Sequence, residues 1–330
     1  MKKVQNQKTN MLKKIFIRFS RFLGYELLDQ NTFESPTLNK KLGESLSIAG
    51  KKSISLPLGE IQITRKVKSL IIFFRSCSKT KLWNQNKERI FKHSKSEYLL
   101  RSLNSILKSI NYSKNKITDL NISFHVIDDQ SDESVIKKIN NLFEKYKQNY
   151  KLTNLDVSEY KNICQDTNFA SIYKSYNMAK NIDSDLIYFV EDDYIHDEIS
   201  IHEMLLSFER LSTQLKEDVI LFPADYPYLY AQNTPTYILL GNKRHWRKID
   251  QSLGTLLLSK KLFMKYWENF NEFATIKSDP AEKPLHRVYE KENCFSPIPS
   301  LAIHCTNINS IYGLSPNVDW EKIWENAKLE

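Results

Sequence analysis

The stretch Asp185-Leu-Ile-Tyr-Phe-Val-Glu-Asp-Asp-Tyr194 constrains this chain more than any other. Its apolar run is short and rich in Ile, Tyr, Phe and Val, which predicts a buried β-strand. The run stops abruptly in three consecutive acids, Glu191, Asp192 and Asp193. Carboxylates packed this tightly at a strand end repel one another. A divalent cation relieves that repulsion, and hard oxygen ligands suit Mg2+ or Mn2+. In an open α/β sheet, ligands bind outside the carboxyl ends of the strands, so a metal-bound phosphate is expected here. The same acids serve equally well as a solvated turn.

A second strand, Asn121-Ile-Ser-Phe-His-Val-Ile127, is followed by Asp128-Asp-Gln-Ser-Asp-Glu133. Acids in that position accept hydrogen bonds from a ribose hydroxyl or a base N–H. Ser131 or Asp132 is placed to cap a helix beginning near Ser134. Ser69-Leu-Ile-Ile-Phe-Phe74 predicts another strand, ending in Arg75 and Ser76, a cation and a hydroxyl offered to the same crevice. Phe169, Ile172, Tyr173 and Tyr176 fall at helical spacing and predict an amphipathic helix, with Asn168 as its N-cap.

These segments come in a particular order. A strand leads into Asp-Asp-x-Ser, an Asn-led helix ends in Asn-x-Ala, and an apolar strand runs into Glu-Asp-Asp, with 64 positions from Asp129 to Asp193. That order resembles the nucleotide-diphospho-sugar-binding core of family-2-like glycosyltransferases, whose fold is called GT-A. The resemblance covers residues 68–210 well and continues more weakly to about 320. It implies an α/β protein with an open mixed sheet flanked by helices, here preceded by a short basic helical extension. By analogy Asp128 or Asp129 contacts the uracil and ribose of the donor, and Arg75, Ser76, Asn168 and Asp192 join the donor site. The strand-end acids correspond to the family's DXD motif. Asp193 is then the first choice as metal ligand, and Glu191 supports it or contacts the ribose. Gln130 stands where these enzymes often have Gly, so the loop is expected to turn differently.

Val219-Ile-Leu-Phe222 predicts a further strand, followed by an aromatic loop, Pro223-Ala-Asp-Tyr-Pro-Tyr-Leu-Tyr230, in which Tyr226 is a candidate to stack on a sugar ring. Thr236–Leu240 and Leu253–Leu258 read as two more strands flanking Arg244-His-Trp-Arg-Lys248. His245, Trp246 and Arg247 there would meet an acceptor or the diphosphate, or form a charged hairpin turn. Asp279-Pro280 opens a helix. In many relatives a carboxylate at such a helix start is the catalytic base, which makes Asp279 the first candidate, with Asp225 and Asp250 in reserve. Ser296–His304 delivers a late His. In several enzymes of this fold such a residue completes the metal shell or contacts the diphosphate, and imidazole suits Mn2+ better than Mg2+.

Composition excludes several alternatives. Seven glycines among 330 residues leave no P-loop and no GxGxxG, so phosphate must be held by metal and cations. Four cysteines without CxxC pairs indicate neither a zinc knuckle nor a disulfide framework. The net charge of +9 is weighted to the front, where Lys2, Lys3, Lys8, Lys13, Lys14, Arg18 and Arg21 precede the first acid, Glu26. Residues 11–23 mix large apolar side chains with these cations. The segment is too short and too charged to span a bilayer, and it suits an amphipathic helix on an anionic membrane or one docked on the body. Expected boundaries are a basic extension and lead-in at 1–66, the catalytic domain at 67–320 (nucleotide-sugar half 67–210, acceptor half 211–320) and a C-terminal tail at 321–330.

The leading expectation is a metal-dependent, inverting glycosyltransferase using Mn2+ or Mg2+. Its partners would be a nucleotide-sugar donor, UDP-linked by preference, and a glycan or lipid-linked acceptor in bacterial surface glycan synthesis. It would be cytoplasmic or peripheral at the inner face of the membrane. A sugar-phosphate nucleotidyltransferase is the second reading, though Arg75-Ser-Cys-Ser-Lys79 lacks the glycines such enzymes place after the first strand. A non-enzymatic polyanion or membrane binder is the third; no nucleic-acid signature is present, and no nucleic-acid partner is expected.

Overall fold

The computed structural model describes residues 11–25, 63–79, 89–164, 166–231, 235–276, 280–306 and 308–329. The chain divides into two compact units at 62/63. In the first, helix α1 (Met11–Phe22) is the described element. In the second, the strands are β1 Ser69–Ser76, β2 Asn121–Asp128, β3 Lys151–Asn154, β4 Leu186–Glu191, β5 Tyr194–His196, β6 Ile220–Leu221, β7 Ile238–Leu240, β8 His245–Ile249, β9 Leu256–Ser259, β10 Cys294–Ile298 and β11 Ala302–His304. Its helices are α2 Lys95–Lys114, α3 Glu133–Lys145, α4 Thr167–Lys180, α5 Ser200–Leu215, α6 Tyr228–Ala231, α7 Lys260–Lys265, α8 Trp267–Thr275, α9 Lys283–Tyr289 and α10 Trp320–Asn326.

The expected mixed sheet flanked by helices is formed. Nine strands run in the order β3-β2-β1-β4-β9-β6-β10-β8-β7. β3, β2, β1 and β4 are mutually parallel, while β9 pairs antiparallel to both β4 and β6. The chain leaves β1 for β2 and β3 on one side, then returns to β4 on the other. The crevice beyond β1 and β4 is therefore a topological switch point, where open sheets bind ligands. Register fills it: Arg75 lies beside Glu191, and Ser76 beside Asp128.

Period-2 alternation sorts the apolar runs onto two faces. Leu70, Ile72 and Phe74 of β1 and Leu186, Tyr188 and Val190 of β4 pack with α2, α3 and α5. Ile71, Phe73, Ile187 and Phe189 face the opposite way, against α4, α7, α8 and α9. Both faces are covered, which is why these strands read as continuous apolar runs. The rigid sheet fixes where their last residues point.

Several expectations are corrected. Asp166, not Asn168, caps α4, because its carboxylate accepts from Phe169 N at 3.0 Å; Asn168 lies inside the first turn, its side chain turned to Arg75. Asp132 does hold the N-cap position of α3, though without a side-chain cap bond, while Ser131 Oγ accepts from Ser78 N at 2.9 Å. The helix expected from Asp279 begins at Lys283, with Pro284 in its first turn. His304 does not end one long strand: β10 joins the main sheet, and β11 pairs with β5 in a separate two-stranded sheet. Residues 321–330 are no tail, since most of α10 lies there and Trp324 is buried. Nor are 63–66 a lead-in, since Thr64 N donates to Thr213 Oγ1 at 3.2 Å and Arg65 pairs with Asp218.

The small sheet carries a pH-sensitive element. His196 on β5 is buried, with Nε2 bonded to the Tyr188 hydroxyl at 2.6 Å. Burial pushes its pKa down to about 3. The unfolded chain takes up a proton near pH 6.5 that the folded chain refuses, so stability falls as pH drops below 6.5 towards 3. At pH 5 the loss is about 2 kcal/mol. Denaturant midpoints measured between pH 7 and 4.5 should show this slope, and His196→Phe should flatten it. An unchanged slope in that variant would assign the effect elsewhere.

Candidate active site at the strand switch point

Each acid of the strand-end triad has its own cation, brought from a different part of the chain. Glu191 Oε1 accepts from Arg75 Nη2 of β1 at 2.6 Å, and Thr255 Oγ1 reaches Glu191 Oε2 at 3.2 Å. Arg75 Nη1 also donates to Asn168 Oδ1 at 2.7 Å and Ser171 Oγ at 3.0 Å, so this guanidinium braces α4 against β4. Asp192 Oδ2 accepts from Cys77 N at 2.9 Å, and its Oδ1 pairs with the ammonium of Lys95 at the start of α2. Burial, with Asp193 adding to it, raises the Asp192 carboxyl despite Lys95.

Asp193 faces His304, with Oδ2 at 3.5 Å from Nε2. Burial opposes the charge on both. Their mutual attraction outweighs it, holding the Asp193 carboxyl below and the His304 imidazole above their usual ranges. His304 Nδ1 lies 2.9 Å from the Tyr312 carbonyl, which only accepts, so Nδ1 carries the proton and Nε2 is the atom turned to Asp193. The ring is stacked on Tyr194 at 4.7 Å.

These residues fit a divalent ion. The Thr306 side chain helps hold the Asp193 carboxyl charged, yet among the described residues Asp193 Oδ1 is buried without a close hydrogen-bond partner, which is costly for a carboxylate unless a cation completes it. His304 is oriented as metal-bound histidines are, with its far nitrogen donating to a carbonyl. Among the described residues no group of three or more His, Cys, Asp or Glu side chains is disposed to hold a metal by itself. Asp193 and His304 would thus supply part of a shell that phosphate oxygens and water complete.

On the β2 side, Asp128 is already engaged: Oδ1 accepts from Ser76 Oγ at 2.7 Å and Oδ2 from Ser131 N at 2.9 Å. It braces the turn, whereas Asp129 keeps its carboxylate unbonded among the described residues. Gln130 has φ +54°, the left-handed conformation that glycine adopts most easily. The loop therefore keeps the glycine-type turn despite its glutamine, contrary to expectation.

The acceptor-side candidates divide. Trp246 is fully buried in the core, and its indole offers no surface to a ligand. His245 is exposed on β8, near the far edge of the sheet. Tyr226 is buried, its hydroxyl 2.5 Å from that of Tyr194. Arg247 donates to the Leu229 carbonyl at 2.7 Å and lies 4.4 Å over the Tyr230 ring. It lines a 290 Å3 cleft with Tyr228, Tyr237 and Asp250. Of the three base candidates, Asp279 lies outside the described residues. Asp225 is buried, accepts from the Tyr230 hydroxyl, and has its carboxyl raised by that burial; Asp250 is exposed on the cleft. Sequence reasoning missed Lys95 and Thr255. Ser94-x-x-Glu97 does mark the α2 start, and Ser94 Oγ accepts from Glu97 N there, but nothing in the motif singles out the lysine.

No family model matches the chain, and no curated protein matches it. Among solved structures it is similar to galactosyltransferase LgtC in complex with donor and acceptor sugar analogs, at 12% identity over 68% of this chain and 72% of that one, with a TM-score of 0.35. It is similar to S. aureus TarS 1–349, at 12% identity over 69% and 57% of the two chains and a TM-score of 0.38. A third is glucosyl-3-phosphoglycerate synthase from Mycobacterium tuberculosis in complex with Mg2+ and uridine diphosphate, at 10% identity over 59% and 58%, with a TM-score of 0.32. These are likenesses of overall arrangement.

Proposed function

We propose that this chain is a glycosyltransferase that moves a sugar from a nucleotide-sugar donor, UDP-linked by preference, to an acceptor hydroxyl. The observation that carries the reading is the unpartnered Oδ1 of Asp193 beside His304 Nε2 at the switch point. A divalent ion held there would neutralise charge on the departing nucleoside diphosphate; Mn2+ suits the imidazole better than Mg2+. Asp129, whose carboxylate is unbonded among the described residues, would meet the ribose or base. The acceptor, a glycan or lipid-linked sugar, would enter past Tyr228 and Arg247. Asp279, Asp225 or Asp250 would remove its proton, with inversion at the anomeric carbon. Burial raises the Asp225 carboxyl, the direction a general base needs. Calorimetric titration of UDP with and without Mn2+ tests the reading. Binding of neither UDP nor any other nucleoside diphosphate would sink it.

The same reading extends to where the chain works. No described helix is long and apolar enough to cross a membrane. Leu12, Ile15, Phe16 and Phe19 instead form an exposed apolar stripe along α1, and the segment carries Lys13, Lys14, Arg18 and Arg21 with no acid. That pairing suits peripheral binding to an anionic leaflet, where surface glycans on lipid carriers are assembled. Flotation with vesicles containing anionic lipid should recover the full chain at low salt. A Phe16→Glu, Phe19→Glu variant should stay behind. Equal recovery of both would remove α1 from the interaction.

A further inference from the structure

We propose that Lys95 is a ligand of the donor diphosphate, kept in position by Asp192; this rests on the nucleotide-sugar reading above. The first support is elimination. With no glycine-rich phosphate loop in the sequence, cations must hold the phosphates. Arg75 is committed to Asn168, Ser171 and Glu191. Lys95 makes its one hydrogen bond among the described residues to Asp192. An ammonium has three donors, so two remain for phosphate oxygens without breaking that contact.

The second support is placement. The Lys95 and Asp192 side chains are only 13% and 11% exposed, so this is no solvated surface pair. Lys95 is the first residue of a 20-residue helix, an end whose dipole favours anions and opposes a cation. A lysine there is held by its carboxylate partner, and the same helix start favours an incoming phosphate. Asp192 is itself fixed by Cys77 N at 2.9 Å, so the ammonium is tethered to a stationary point on the crevice wall. Lys95 comes from α2, whereas Asp193 comes from the turn between β4 and β5 and His304 from β11. A diphosphate between them would meet a cation from each side.

The test is calorimetric titration of UDP and of uridine, each in EDTA and in Mn2+, on the full native chain and on Lys95→Met and Lys95→Arg. The expected result for Lys95→Met is UDP binding weakened about 10- to 100-fold in both media, with uridine unchanged, and a smaller loss for Lys95→Arg. UDP binding in Lys95→Met equal to native, or an equal loss for uridine, would overturn the assignment while leaving the nucleotide reading intact. A native chain that binds no nucleoside diphosphate would overturn both. Asp192→Asn guards against misfolding of the lysine variants. With its carboxylate tether gone, Lys95 should be less well placed, so UDP binding in EDTA should weaken while uridine binding is unchanged; UDP binding equal to native there would overturn the role given to Asp192.

Discussion

Replacing Asp193 with asparagine is expected to remove the Mn2+-dependent part of UDP binding and to lower turnover about 10²- to 10⁴-fold. The reasoning is electrostatic. Asp193 offers one buried oxygen with no partner and another facing His304 at 3.5 Å. Asparagine keeps the shape but supplies neither the charge nor the second acceptor. Loss of one charge from a buried, paired site typically costs about 3–5 kcal/mol, which sets the expected fold-change. UDP binding in EDTA should survive, because Lys95 and Asp129 are untouched. The measurement is a pair of titrations, with thermal unfolding as a control for structure. Native-like Mn2+ dependence in the variant would mean the acid triad is a structural turn and the ion, if any, binds elsewhere.

Trp324→Ala is expected to cost about 3–5 kcal/mol of stability, which for a domain of this size lowers Tm by on the order of 10 °C. Trp324 is the anchor of α10. Its ring stacks on Phe91 at 4.4 Å and on His93 at 5.3 Å, and meets Tyr98 at 4.7 Å. The guanidinium of Arg101 lies 4.2 Å over it and also donates to its carbonyl at 2.6 Å. The same cluster includes Ile303 and Cys305, the neighbours of His304, and α2, which begins with Lys95. Weaker UDP binding should therefore accompany the lost stability. Calorimetric unfolding checks the first effect. An unchanged Tm would show that the last helix is not part of this core.

How far the chain could be read in advance depended on the range of the interactions. β1 and β4 were legible because each is buried along nearly its whole length and so is apolar, and β2 because its exposed and buried positions alternate. Their endings were legible because charged residues interrupt those runs abruptly. β9 settling between β4 and β6 was not, since that pairing is made across the sheet by residues far apart in sequence. β5 and β11 have three residues each, too few to show a period. Trp246 sits in a charged string that looks like a surface turn, and only the pleat of β8 turns it inward. Asp128 and Asp129 are adjacent and chemically identical; the register that sets Ser76 against Asp128 separates their roles. Lys95 was hidden among many lysines. Its one local clue is a cation at a helix start, where the dipole disfavours it.

The interleaved strand order bears on how the chain is made. A ribosome releases β4, with its three acids, well before β9 and β11 exist. Until then β4 lacks the antiparallel partner on its outer edge, and Asp193 lacks the imidazole that faces it. α10, whose Trp324 packs with Ile303 and Cys305 on either side of that imidazole, emerges later still. Synthesis halted short of β9 therefore leaves an open sheet edge next to an incomplete charge cluster. Domains commonly fold as units once their sequence is available, and here the sheet waits for β9 and the charge cluster for β11. Nascent chains arrested before β9 should be protease-sensitive along β4, and fully released chains should not.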